Sequence, residues 1–238
     1  MCPCELLTLS LLSRRSRVKH SPAPFELPAD NMTTTSPVNA SMDYWQIVLL
    51  GDSGVGKTKL ASQFTLERWV DVYGLSGMEP DFRKQLIVDN RMCIVNILDT
   101  SSEEQHQGAR EQLIKNGQAF VLMYSVTSRL SFEHIESLHQ TVLQLAISLP
   151  PTIILVGNKM DAPPDTREVS KEEGETLAQK LGCKFFETST KTGQNVQRVF
   201  HTAIRELRQR QAEEAELAAR PNPKVKKGKL RWRKCVVM

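Results

Sequence analysis

From Tyr44 onward, short apolar runs alternate with amphipathic stretches, and this alternation predicts an α/β fold on an open, mostly parallel sheet. Three observations carry the prediction. Six runs have strand length: Trp45–Leu50, Gln85–Val88, Cys93–Leu98, Ala119–Tyr124, Thr152–Val156 and Lys184–Phe186. Most are near-continuously apolar, as strands covered on both faces must be. Helix signals fall between them. A glycine-rich segment follows the first run directly, where a strand would turn into a helix.

Residues 1–43 read as a disordered N-terminal extension. Pro22, Pro24, Pro28, Pro37 and the run Thr33-Thr34-Thr35-Ser36 offer too little apolar surface to offset the entropy of ordering. The apolar stretch Leu6–Leu12 is preceded by Glu5 and followed by Arg14-Arg15, the reverse of the charge order in a secretory signal. Hydrophobic residues at 40% and charged residues at 24% then suit one globular domain, spanning residues 44–212. The five cysteines have no framework spacing, and Cys93 and Cys183, beside apolar runs, read as core thiols of a reducing compartment.

After the first strand comes Gly51-Asp52-Ser53-Gly54-Val55-Gly56-Lys57-Thr58, a full match to the phosphate-loop pattern G-x-x-x-x-G-K-[ST]. Its glycines let the backbone curl so that successive N–H groups face phosphate oxygens, and the helix N-terminus adds partial positive charge. Lys57 reaches the outer phosphates, and the Thr58 hydroxyl is offered to Mg²⁺. These residues imply a nucleoside triphosphate and a metal ion without specifying the base.

The base is specified later in the chain. Asn158-Lys159-Met160-Asp161 follows the fifth strand, at the edge where open α/β sheets bind ligands. The Asp161 carboxylate can accept from both the N1–H and the exocyclic amine of guanine. Adenine has no such donor pair and would leave the acid unpaired, which disfavours an ATP kinase. The helix before the sixth strand opens with Ser170-Lys171-Glu172-Glu173, a capping box. The sixth strand runs into Glu187-Thr188-Ser189-Thr190-Lys191, whose small residues are placed to support Asp161 and bring a backbone N–H to the base carbonyl. The last helix shows one apolar stripe, Val196, Val199, Phe200, Ala203, Ile204 and Leu207.

Phosphate loop, Asp99-Thr100, Asn-Lys-x-Asp and Ser189-Thr190-Lys191, in that order and spacing, resemble the Ras family of small GTPases over roughly residues 43–212. The resemblance implies a P-loop NTPase G domain: a six-stranded sheet with one antiparallel strand, flanked by about five helices. It implies GTP/GDP and Mg²⁺ as ligands. Trp69 takes the place of the aromatic beside guanine, and Asp99 that of the acid holding Mg²⁺ through water. Exchange factors, GTPase-activating proteins and effectors are the implied partners, and nucleic acid is not among them.

Two segments depart from the family pattern. In the first switch the usual Thr ligand is replaced by a longer run, Tyr73 to Phe82, where Ser76 is the candidate metal ligand. In the second, Asp-Thr-Ala-Gly-Gln becomes Asp99-Thr100-Ser101-Ser102-Glu103. Ser102 keeps the N–H directed at the γ-phosphate but restricts the pivot that glycine allows. Glu103 stands where the water-orienting Gln would be; its carboxylate accepts from water and opposes the phosphate charge. Two readings follow: a GTPase with altered, slow hydrolysis, and a guanine-nucleotide-binding membrane adaptor with little or none.

Residues 213–238 read as a polybasic tail. Lys224, Lys226, Lys227, Lys229, Arg231, Arg233 and Lys234 have no acid among them, so the net charge of +4 belongs to the tail and the remaining chain is net acidic. Cys235-Val236-Val237-Met238 is a C-a-a-X box, with terminal Met favouring a farnesyl group on Cys235. One prenyl chain anchors only marginally, and the basic run supplies the second signal toward anionic lipid. The expected place is the cytoplasmic face of the plasma membrane or an endomembrane.

Overall fold

The computed structural model describes residues 42–67, 82–100, 107–147 and 150–219. Six strands, β1 (Asp43–Gly51), β2 (Phe82–Val88), β3 (Arg91–Asp99), β4 (Ala119–Ser125), β5 (Thr152–Asn158) and β6 (Lys184–Thr188), form one sheet in the order β2-β3-β1-β4-β5-β6. Every neighbouring pair is parallel except β2 with β3, which is antiparallel. The helices are α1 (Lys57–Leu66), α2 (Gln107–Asn116), α3 (Arg129–Glu133), α4 (Ile135–Leu145), α5 (Lys171–Leu181) and α6 (Val196–Ala219). Only His134 separates α3 from α4, so the pair acts as one kinked helix and the sheet is flanked by five helical units. This is the architecture of a P-loop G domain, as the sequence predicts.

Alternation along β1 explains why two cores form. Trp45, Ile47 and Leu49 face one side with Leu60, Ala61 and Phe64 of α1 and the whole stripe Val196, Val199, Phe200, Ala203, Ile204 and Leu207 of α6. Val48 and Leu50 face the other, with Ile114 of α2, Ile135, Leu138 and Val142 of α4, and Leu177 and Ala178 of α5. Phe64 and Phe200 stack at 3.9 Å between ring centroids, which locks α1 against α6. Such a pair adds about 0.5–1.5 kcal/mol beyond the area it buries.

The capping box is formed: Ser170 Oγ accepts from Glu173 N at 3.2 Å, and Ser170 N donates to Glu173 Oε2 at 2.8 Å. Three local readings change. β2 starts at Phe82 rather than Gln85, because an edge strand alternates: Phe82 and Val88 are buried while Arg83, Gln85 and Ile87 are exposed. α6 continues to Ala219, past residue 212, with every residue from Gln211 exposed. Cys93 is a buried thiol, but Cys183 is only half-buried at the turn after α5. Among the described residues, no helix is long and apolar enough to cross a membrane.

Candidate functional site: a phosphate loop joined to a base-reading edge

The phosphate loop leaves β1 and curls into α1, and two of its glycines are forced. A Cβ on Gly51 would lie 2.3 Å from the Met123 carbonyl oxygen of the neighbouring strand. Gly56 has φ 103°, and a Cβ there would lie 2.4 Å from Asn158 Nδ2. Ser53 and Gly54 at the crest are exposed, whereas Val55 is buried and pins the loop to the core. Lys57 is 3% exposed, and its ammonium donates to the carbonyls of Gly51 and Asp52, both at 2.8 Å. The loop is thus wound around its own lysine.

Beside it, the Thr58 hydroxyl donates to Asp99 Oδ2 at 2.5 Å, which brings the end of β3 to the start of α1. Thr100, a buried hydroxyl that sequence reasoning did not single out as a structural tie, donates to the Leu49 carbonyl at 2.8 Å and fixes the chain after Asp99 to β1. A hydroxyl and a carboxylate converging here are hard oxygen donors of the kind Mg²⁺ takes from protein, the rest of its shell coming from phosphate and water.

Asn158 ends β5 with no exposed surface and joins three segments. Its Nδ2 donates to the Val55 carbonyl at 2.8 Å and reaches Thr190 Oγ1 at 3.4 Å. Its Oδ1 accepts from Thr188 Oγ1 at 3.1 Å and from Thr190 N at 3.2 Å. The asparagine is therefore a strut between the phosphate loop and the loop after β6. The motif spacing marks Asn158 as important but gives no hint of Val55 or Thr188, which lie far away in the chain.

Lys159 adopts φ 68°, a left-handed conformation uncommon for a residue with a side chain. The turn is held by Met160 N donating to the Thr188 carbonyl at 3.0 Å, and it leaves Asp161 exposed at the rim. Ser189 and Thr190 are buried and Lys191 exposed. The Ser189 hydroxyl accepts from Thr192 N at 3.1 Å, so it closes its own loop. Trp69, Ser76, Ser102, Glu103 and Cys235 lie outside the described residues.

A phosphate-loop sequence between β1 and α1, wound around a buried lysine and placed beside a metal-suited oxygen pair, makes this a P-loop domain. Comparison with known proteins narrows the class. Residues 46–209 match the Ras family. Protein ras-2 of Neurospora crassa is 38% identical over 197 residues, covering 74% of this chain and 85% of the relative. Ras-like protein 1 of Pyricularia oryzae is 38% identical over 202 residues, covering 77% and 83%. A Ras-like protein of Laccaria bicolor is 40% identical over 164 residues, covering 69% and 78%. The chain belongs to the Ras family. Members bind GTP or GDP with Mg²⁺ and work with exchange factors, activating proteins and effectors. The forced Gly56–Asn158 approach and the Thr58–Asp99 pair fit those ligands.

Proposed function

We propose that this chain is a lipid-anchored molecular switch that binds GTP at the phosphate loop, hydrolyses it slowly to GDP and phosphate, and signals while GTP is bound. The observation that carries the reading is the convergence of Lys57, Thr58, Asp99 and Asn158 at one edge of the sheet. Lys57 would bind the outer phosphates and Asp161 would select guanine. Thr58, Asp99 and Ser76 would hold Mg²⁺, which supplies charge neutralisation on the phosphate oxygens. Trp69 would stack beside the base, and Ser189, Thr190 and Lys191 would complete the base pocket with Lys159. Ser102 would present its N–H to the γ-phosphate, and Glu103 would accept a hydrogen bond from the attacking water.

The tail provides the second half of the reading. Prenylation of Cys235 with the basic run from Lys224 to Lys234 would hold the domain at the cytoplasmic face of an anionic membrane. The N-terminal extension would end before Asp43, which belongs to β1, and the basic tail would follow the end of α6 at Ala219.

Single-turnover hydrolysis of preloaded GTP in Mg²⁺ tests the enzyme claim. Conversion to GDP, with a rate that changes in Glu103→Gln, is the expected result. Stable GTP in the presence of extract supplying activators would favour the adaptor reading, which the Ser102-Glu103 replacement of Gly-Gln motivates. Fractionation of Cys235→Ser tests the anchor: release to the soluble fraction is expected, and retention on membranes would defeat it.

A further inference from the structure

The phosphate loop carries an acid of its own. Asp52 lies between Gly51 and Gly54 of a loop built to bind polyphosphate, where an uncompensated carboxylate repels the ligand. His134, 82 positions later in the chain, meets it: His134 Nδ1 and Asp52 Oδ1 are 2.6 Å apart, and since a carboxylate only accepts, the ring N–H donates. The Asp52 carbonyl in turn accepts from Lys57 Nζ at 2.8 Å. Residue 52 is therefore tied at both ends, by its side chain to His134 and by its backbone to the phosphate-binding lysine.

His134 itself stands on a firm base. It is the single residue between α3 and α4: its N–H donates to the Leu130 carbonyl at 3.1 Å, and its carbonyl accepts from Leu138 N at 3.2 Å. α3 is bolted to the end of β4, with Ser131 Oγ accepting from Ser125 N at 3.0 Å and Phe132 edge-on to Tyr124 at 4.9 Å. We propose that His134 is a positioning residue for the phosphate loop, holding the Asp52 carboxylate so that the loop and Lys57 keep their phosphate-binding geometry. Both side chains are partly exposed, at 46% for His134 and 33% for Asp52, so water screens the bond and keeps its contribution small. The α3–α4 junction becomes a lever on nucleotide release.

The inference rests on the phosphate-loop reading, and release of a fluorescent GDP from the full chain in Mg²⁺ separates the two. Wild-type protein that retains no fluorescent GDP takes down both. If wild type retains it, His134→Ala should release it about fivefold faster, the upper end for one partly exposed ion-pair hydrogen bond. His134→Asn keeps a side-chain N–H donor and should stay within about twofold of wild type. Asp52→Ala removes the bond and the anion together, so it should accelerate release less than His134→Ala. Added to His134→Ala, it should bring the rate back to its own value. A purely structural defect at position 134 would not be suppressed in this way. Wild-type release from His134→Ala, failure of Asn to rescue, or multiplicative effects in the double variant would each overturn the proposal.

Discussion

The two ends of the sheet use the same physical device for different purposes. At the ligand edge, Asn158 bonds to Val55, Thr188 and Thr190 and thereby joins three loops. At the opposite end, Arg208 of α6 bonds to Asp43 Oδ2 at 2.8 Å, to the Val88 carbonyl at 2.6 Å and to the Arg91 carbonyl at 3.1 Å, joining β1 to the β2–β3 hairpin. Both side chains are largely removed from water, and both bond to backbone groups of other segments. The difference lies in what surrounds them. Around Asn158 the backbone is held in forced shapes, Gly56 at φ 103° and Lys159 at φ 68°, that suit a nucleotide. Around Arg208 the turn Asp89-Asn90 is left-handed as well, at φ 50° and 60°, but it is the tight turn of a β-hairpin, closed by ion pairs. A buried polar hub is thus no sign of a site by itself, nor is left-handed backbone beside it; the glycines of the ligand edge, where a Cβ would meet Met123 and Asn158, separate the two.

That contrast predicts different consequences of breaking each hub. Asn158→Ala orphans the Val55 carbonyl, the Thr188 hydroxyl and the Thr190 N–H, each costing about 1–3 kcal/mol when buried. Loss of roughly 4 kcal/mol of stability is expected by that count, together with at least about tenfold weaker binding of GDP. Urea unfolding of the nucleotide-free protein and a GDP titration measure the two effects. A stability loss without a change in affinity would make Asn158 no different in kind from Arg208.

Arg208→Ala leaves Asp43 buried without its cation, since Asp43 is only 6% exposed; Arg91, at 3.1 Å and largely exposed, is a weak substitute. Truncating one partner of such a pair costs about 3–5 kcal/mol, and the lower half of that range is expected with Arg91 nearby. GDP affinity should hold within about twofold, because the two hubs share no bonding partner. A large affinity loss would mean that the two ends of the sheet are coupled, and the division drawn between them would fail.

The sequence revealed much more of the ligand edge than of the opposite end, for a physical reason. Phosphate binding requires glycines, a lysine and a hydroxyl within eight residues, so Gly51 to Thr58 could be read directly. Guanine selection likewise compresses into Asn158 to Asp161. Core strands show as apolar runs, whereas Phe82 to Lys84 of β2 alternate at a sheet edge and form no such run. Contacts between distant segments left no local pattern. His134 with Asp52 and Arg208 with Asp43 are ordinary exposed-looking residues in sequence, and only the topology brings them together. The same holds for Gly157 and Gly174: a Cβ on Gly157 would come within 2.7 Å of the Tyr124 hydroxyl, and one on Gly174 within 2.4 Å of the Phe185 ring and 2.5 Å of that hydroxyl.

Tyr124 offers the smallest and most informative test. It is fully buried between β5 and α5, and its hydroxyl has no hydrogen-bond partner among the described residues. Burial pushes the phenol far above its usual range, so it stays protonated at any working pH. The two hubs show buried polar atoms held by bonds; this one is a buried polar atom held by packing alone. Removing it with Tyr124→Phe deletes a desolvated group and leaves the ring and its edge-on contact with Phe132 in place. The expected change is therefore neutral to stabilising, within about 1 kcal/mol, with GDP affinity unaltered. Urea unfolding of the nucleotide-free variant measures it. A loss larger than that would show that ordered water bonds the hydroxyl in solution, which would make Tyr124 a third hub, next to the two glycines that now only accommodate it.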